Sequence, residues 1–114
     1  MDVEERRVGP ITVIVPKGHL DSLTSPELQP KLLGPLENGE PVVVDCANLD
    51  YVSSAGLRVL MMAAKKGRAN GARIVLAALQ PTVRKVFDIS GFSALFEIHD
   101  SATEACAALS PEQG

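Results

Sequence analysis

Two adjacent serines, Ser53 and Ser54, stand between a β-branched run, Val42-Val43-Val44-Asp45, and an amphipathic segment that begins Ala55-Gly56-Leu57. A strand that feeds a helix N-terminus leaves the first helical amides without intrahelical acceptors, so a hydroxyl there, or a phosphate carried by it, meets ready donors. Three chemistries compete for these residues. Acyl transfer would use a serine as a nucleophile elbow, but the leading Gly of GxSxG is missing, and only His19 and His99 could act as base. Phosphorylation of Asp45, at the end of a central strand, would need an acidic pair after the first core strand to hold a metal ion, and Pro16-Lys17-Gly18 stands there instead. Asp45 and Asp50 therefore read as turn and capping residues. The third chemistry is serine modification at the helix start, with Ser53 or Ser54 as acceptor. No P-loop or GxGxxG is present, and His and Cys never cluster, so neither a cofactor nor a metal is expected.

Holding the serines in place requires alternating elements. Ile11 to Val15 reads as a strand ended by Pro16 and Gly18, with Val3 to Val8 as an edge partner across the Gly9-Pro10 turn. Gly18-His19-Leu20-Asp21 reads as a loop. A helix is expected from Thr24-Ser25-Pro26-Glu27 to about Leu36, kinked or broken by Pro30 and Gly34-Pro35, and closed by Asn38-Gly39. The central strand, Val42 to Cys46, is followed by a short polar turn. In the helix after Ser54, Leu57, Leu60, Met61 and Ala64 form a sheet-facing stripe, and Ala55, Val59 and Met62 project from the other side as a candidate partner surface. Gly67 and Gly71 end that helix, and Arg73 to Ala78 is the next strand. Pro81 opens a helix stopped by Gly91, Leu95 to Ile98 is a short strand, and Ser101-Ala102-Thr103-Glu104 caps a last helix stopped by Pro111.

The order β(β)αβαβαβα demands an α/β fold: a mainly parallel sheet of four to five strands with about four helices and the N-terminal strand or hairpin at its edge. One domain over residues 1–114 accommodates it. Apolar residues make up 46% of the chain and charged residues 22%, values of an ordinary globular domain, and no apolar run is long enough to span a bilayer, so no membrane association is expected. A net charge of −3 without a basic cluster offers nothing to a phosphate backbone, which argues against nucleic acid. The charged start Met1-Asp2-Val3-Glu4-Glu5-Arg6-Arg7 lacks the order of a secretory signal, and the lone thiols Cys46 and Cys106 suit a reducing compartment, so a cytoplasmic protein, monomeric or weakly dimeric, is expected.

Four segments, Gly18-His19-Leu20-Asp21, Val43-Val44-Asp45, Tyr51-Val52-Ser53-Ser54-Ala55-Gly56-Leu57 and Pro81 to Gly91, resemble the STAS domain, and in particular the stand-alone bacterial anti-sigma factor antagonists. The resemblance covers nearly the whole chain in order. It implies a non-enzymatic regulator that works by partner switching. The unphosphorylated form binds a serine kinase that is also an anti-sigma factor, phosphorylation releases it, and a serine phosphatase resets it. The family's acceptor, two residues before the helix glycine, falls on Ser54, and its loop acid falls on Asp21. Many members carry Asp before the acceptor and Ser or Thr after it; here those positions are Ser53 and Ala55, which keeps Ser53 as the alternative acceptor. Together with the second apolar stripe of the helix after Ser54, this gives an expected partner surface of Asp21, Ser53, Ser54, Ala55, Gly56, Val59 and Met62. A small serine hydrolase and a phosphoaspartate receiver-like regulator are the alternatives.

Overall fold

The computed structural model describes residues 1–110. Pro111, the expected stop of the last helix, lies outside the described residues. The N-terminal hairpin joins β1 (Asp2–Val8) to β2 (Ile11–Leu20), antiparallel from Asp2 opposite Lys17 to Val8 opposite Ile11. Gly9 turns the chain between them at φ 60°, in the left-handed region that glycine enters without strain. Parallel pairing then runs from β2 to β3 (Val42–Asp45), to β5 (Ile74–Ala77) and to β6 (Glu97–His99), after β4 (Leu49–Val52) between them in the chain. The spatial order is β1-β2-β3-β5-β6, and β4 pairs with the far half of β2. The hairpin lies at the edge, as expected, and the described residues form a sheet of six strands rather than four or five.

The sixth strand and the long β2 have one cause. Pro16 and Gly18 do not end β2: Thr12 to Ile14 pair with β3, and Gly18 to Leu20 pair with β4, with a register shift between Gly18 and His19. Pro16 and Gly18 lie in the segment where the strand exchanges neighbours, and the register shift falls directly after the glycine. β4 was expected as a polar turn because only Leu49 and Val52 of its four residues are buried, while Asp50 and Tyr51 face solvent. Four residues give a period-2 pattern little room to show.

α1 (Ser25–Glu37) is one helix, unbroken by Pro30 and Pro35. Leu28, Leu32 and Leu36 are fully buried along one face. At about 1.5–3 kcal/mol for each leucine, that face offsets the ~3 kcal/mol that each interior proline costs, so packing decides what propensity opposed. α2 (Ser54–Ala69) likewise runs past Gly67. A Cβ on Gly67 would lie 2.6 Å from the Ala72 carbonyl oxygen, so this glycine admits the returning chain rather than ending the helix. α3 (Pro81–Ser90) ends as expected at Gly91, with φ 77°. A 3-10 turn over Phe92–Ala94 precedes β6, which begins at Glu97 rather than Leu95. α4 (Ala102–Leu109) is capped by the Ser101 hydroxyl, which accepts a hydrogen bond from the Glu104 amide at 3.1 Å.

Side chains alternate across the sheet. Ile14, Val42, Val44 and Leu76 meet α1, α2 and α3 on one face, whereas Ile11, Val13, Val15, Val43 and Val75 meet, among the described residues, only the eight-residue α4 on the other. Among the described residues, no helix is long and apolar enough to cross a membrane.

Candidate functional site

The serines sit where β2 and β4 end side by side. Leu20 is the register partner of Val52, and the Ser53 amide donates to the Leu20 carbonyl at 2.9 Å, so α2 starts directly beside the turn that follows β2. Gly56 makes this approach possible. A Cβ there would lie 2.8 Å from Leu20 Cγ and 2.9 Å from its carbonyl oxygen, closer than side chains come, so the helix could not lie this near β2 with any other residue.

The two hydroxyls have different roles. Ser53 is the N-cap: its backbone is extended (φ −90°, ψ 176°), its Oγ accepts from the Gly56 amide at 3.4 Å, and its carbonyl accepts from the Leu57 amide at 2.9 Å. Ser54 is the first helical residue and is exposed, and its hydroxyl has no hydrogen-bond partner among the described residues. The amides of Ser54 and Ala55 have no intrahelical acceptor, and α2 carries no acid in its first turn, so the positive end of its dipole is uncompensated by the helix itself.

Asp21 follows Leu20 and shapes the rim. Its Oδ1 accepts from the amides of Leu23 at 2.9 Å and Thr24 at 3.1 Å, and these bonds hold the carboxyl below the usual aspartate range. Thr24 does not cap α1 with its side chain. Its hydroxyl instead accepts from the Asp21 amide and lies 2.8 Å from the His19 carbonyl, locking the turn. His19 Nε2 lies 3.2 Å from Asp50 Oδ1, and its ring meets Tyr51 edge-on at 5.6 Å. His99 pairs with Glu97 at 2.7 Å, on β6. Neither histidine is bonded to a serine among the described residues, so the serine–base pair of the hydrolase reading is not assembled. Asp45 Oδ1 accepts from the Ala47 amide at 3.1 Å, a turn role as expected. No group of three metal-ligating side chains occurs among the described residues.

Asp21, Ser53, Ser54 and Ala55 thus come together at one end of the sheet. Two expected surface residues do not belong to it. Val59 is only 6% exposed and packs in the core beneath α1 to α3, because the buried face of α2 spans Leu57, Val59, Leu60 and Ala63, wider than one stripe. Gly56 is buried against Leu20 and acts by its lack of a side chain. Met62 is 40% exposed, about two turns along the same face as Ser54. Two exposed apolar residues that the sequence reading does not place there adjoin this end: Leu23, 83% exposed in the Asp21 turn, and Tyr51, 50% exposed on β4. A lone leucine in the polar run Asp21-Ser22-Leu23-Thr24 was the available signal; Tyr51 had none without β4.

A family model described as the STAS domain matches residues 2–105. BtrV of Bordetella bronchiseptica, provisionally named an anti-sigma factor antagonist, is 42% identical over 93 residues, 81% of this chain and 80% of that protein. The anti-sigma-B factor antagonist of Listeria monocytogenes is 28% identical over 99 residues, 86% of each chain. Among solved structures, unphosphorylated SpoIIAA matches with a TM-score of 0.80 at 21% identity, over 95% of this chain and 96% of that one. The phosphorylated form of this Bacillus cell fate determinant matches with a TM-score of 0.75 at 21% identity, over 96% and 100%.

Proposed function

Because the chain belongs to the STAS domain family, we propose that it is an anti-sigma factor antagonist that switches partners through phosphorylation of Ser54. The observation that carries this reading is the division of labour between the serines: Ser53 is used as the cap of α2, while Ser54 presents a free, exposed hydroxyl beside it. The names of BtrV and the Listeria antagonist supply the class of activity, and SpoIIAA is a relative in fold described in both phosphorylation states.

In this reading the protein is a substrate and ligand rather than a catalyst. A serine kinase that is also an anti-sigma factor docks over the rim formed by Asp21, Leu23, Tyr51, Ser53, Ser54 and Ala55, with Met62 further along α2. Transfer forms a bond from Ser54 Oγ to the terminal phosphorus of ATP and breaks the bond to the leaving diphosphate, while a base on the kinase takes the hydroxyl proton. A serine phosphatase reverses the modification by hydrolysis. The phosphate adds roughly −1.5 to −2 charges, which the start of α2 accommodates, so the fold survives. A docked partner must instead desolvate a dianion on a rim that already carries Asp21 and Asp50. Coupling of about 1–3 kcal/mol, roughly 5- to 150-fold in affinity, makes a working switch. The reading places the protein in the cytoplasm, as a monomer or weak dimer.

Intact mass of the protein from its own cells, before and after phosphatase treatment, tests the modification. One removable phosphate mapped to Ser54 is expected, and Ser54→Ala should remain unmodified; phosphate on Ser53 with Ser54 bare would overturn the assignment. With the purified cognate kinase, Ser54→Asp should bind more weakly than wild type and Ser54→Ala should bind persistently. Equal affinities for all three proteins, with intact circular dichroism, would defeat exclusion at Ser54.

A further inference from the structure

The face of the sheet opposite α2 is only partly covered. α4 is eight residues long and packs on β2, β3, β5 and β6, so among the described residues nothing covers the sheet between that helix and the β1–β2 hairpin. A cavity of about 480 Å³ occupies this gap, within the range of small-molecule sites. Val8, Ile11, Val13, Cys106 and Ala107 form its apolar walls and floor, and among the described residues Arg6 is the one charged side chain that lines it. The Arg6 side chain is half exposed. Its ion pairs, 3.7 Å to Asp45 Oδ2 and 3.9 Å to Glu4 Oε2, are both longer than hydrogen bonds, so its planar fork of donors makes no hydrogen bond among the described residues. Val8, 45% exposed, extends the apolar wall to the surface.

We propose that this cavity binds an aliphatic monocarboxylate, its chain lying on Ile11 and Val13 between the hairpin and α4 and its carboxylate held bidentately by Arg6. The charges around the cation select this head group. A guanidinium fork matches a planar carboxylate, and Asp45 and Glu4, which oppose any anion at Arg6, repel a phosphate dianion about twice as strongly as a monocarboxylate. The chain's net charge of −3 provides no general attraction for anions, so affinity must come from the apolar walls and this one fork. The site lies on the other face of the sheet from Ser54 and stands independently of the phosphorylation reading.

Calorimetric titration of the full-length protein with octanoate, decanoate and dodecanoate, each below its micellar concentration, tests the proposal. Affinity should rise about fourfold per methylene until the cavity is full, and dodecanol should bind at least about tenfold more weakly than dodecanoate. Arg6→Gln should remove that preference while leaving dodecanol unchanged. Ala107→Trp, at an exposed position on the rim, should abolish binding of both with circular dichroism intact. Cys106 supplies a site-specific readout: dodecanoate should slow its alkylation by N-ethylmaleimide, while Cys46, 1% exposed with its thiol pushed up to about 12 by burial and the nearby Asp45, stays unreactive throughout. Absence of binding, or equal affinities for acid and alcohol in the wild type, would overturn the proposal. So would Cys106 protection that grows with protein concentration in the absence of acid, since a second copy would then be what covers the cavity.

Discussion

Ser53 and Ser54 differ by one position and by almost everything physical. The Ser53 hydroxyl satisfies the Gly56 amide, so Ser53→Ala should destabilise the protein by about 0.5–1 kcal/mol in urea unfolding, at the low end for a cap because the bond is 3.4 Å long. Ser54→Ala removes an exposed hydroxyl without a partner and should stay within about 0.5 kcal/mol of wild type. The reverse ranking would show that Ser54 is the structural serine. Gly56 offers a sharper test, because propensity and packing oppose each other there. Alanine in a helix interior is favoured over glycine by up to about 1 kcal/mol, yet a methyl group at this position would sit 2.9 Å from backbone that cannot move aside. Packing should win, and Gly56→Ala should lower stability by about 1–3 kcal/mol; a more stable variant would mean that α2 can shift away from Leu20.

At the scale of the element, α2 carries both the proposed modification site and part of the core, and the boundary between them runs between Val59 and Met62. Val59→Ser exposes none of its surface to a partner and should cost about 1.5–3 kcal/mol of stability in denaturant titration. Met62→Ser should change stability by no more than about 0.5 kcal/mol and should weaken kinase binding if the docking surface extends along α2. A Met62→Ser protein that unfolds as readily as Val59→Ser would place Met62 in the core too. α1 shows the same contest in the opposite direction: Pro30 and Pro35 argue against a continuous helix, and three buried leucines hold it.

At the scale of the molecule, three carboxylates among the described residues are held below their ordinary range. Glu97 is held there by hydrogen bonds from His99 and Arg73, Asp88 by the Ser93 hydroxyl and Arg84, and Asp21 by the Thr24 and Leu23 amides. Each has a lower pKa folded than unfolded, so the unfolded chain binds more protons in mild acid. The stability they contribute is fully present above the ordinary carboxylate range, about 4, and is lost as pH falls through their folded values. The urea midpoint should therefore drop on acidification below about pH 4. Glu97→Gln should make that drop shallower, and an unchanged acid limb would show that Glu97 contributes nothing to it.

The sequence by itself determined the order of elements apart from β4, the edge hairpin, the stop at Gly91, the cap at Ser101 and the start of α2 at the serines, because each rests on local chemistry: turn glycines, side-chain oxygens beside unpaired amides, and the periods of strand and helix. It brought both serines to the site, with Ser54 as the expected acceptor and Ser53 as the alternative; that Ser53 is the cap depends on where the chain turns by a single residue. The tertiary structure alone decided the rest. β2 continues through Pro16 and Gly18 because β4 is there to pair with it, and β4 is a strand because β2 is. Val59 is buried because α2 is flanked by α1 and packed on the sheet at once, so its apolar arc is wider than a single contact requires. Gly56 and Gly67 are close-approach residues rather than surface or stop signals because the chains they admit, at Leu20 and Ala72, are fixed only when the helices dock. Such facts depend on two segments at once, and no window of one segment contains them.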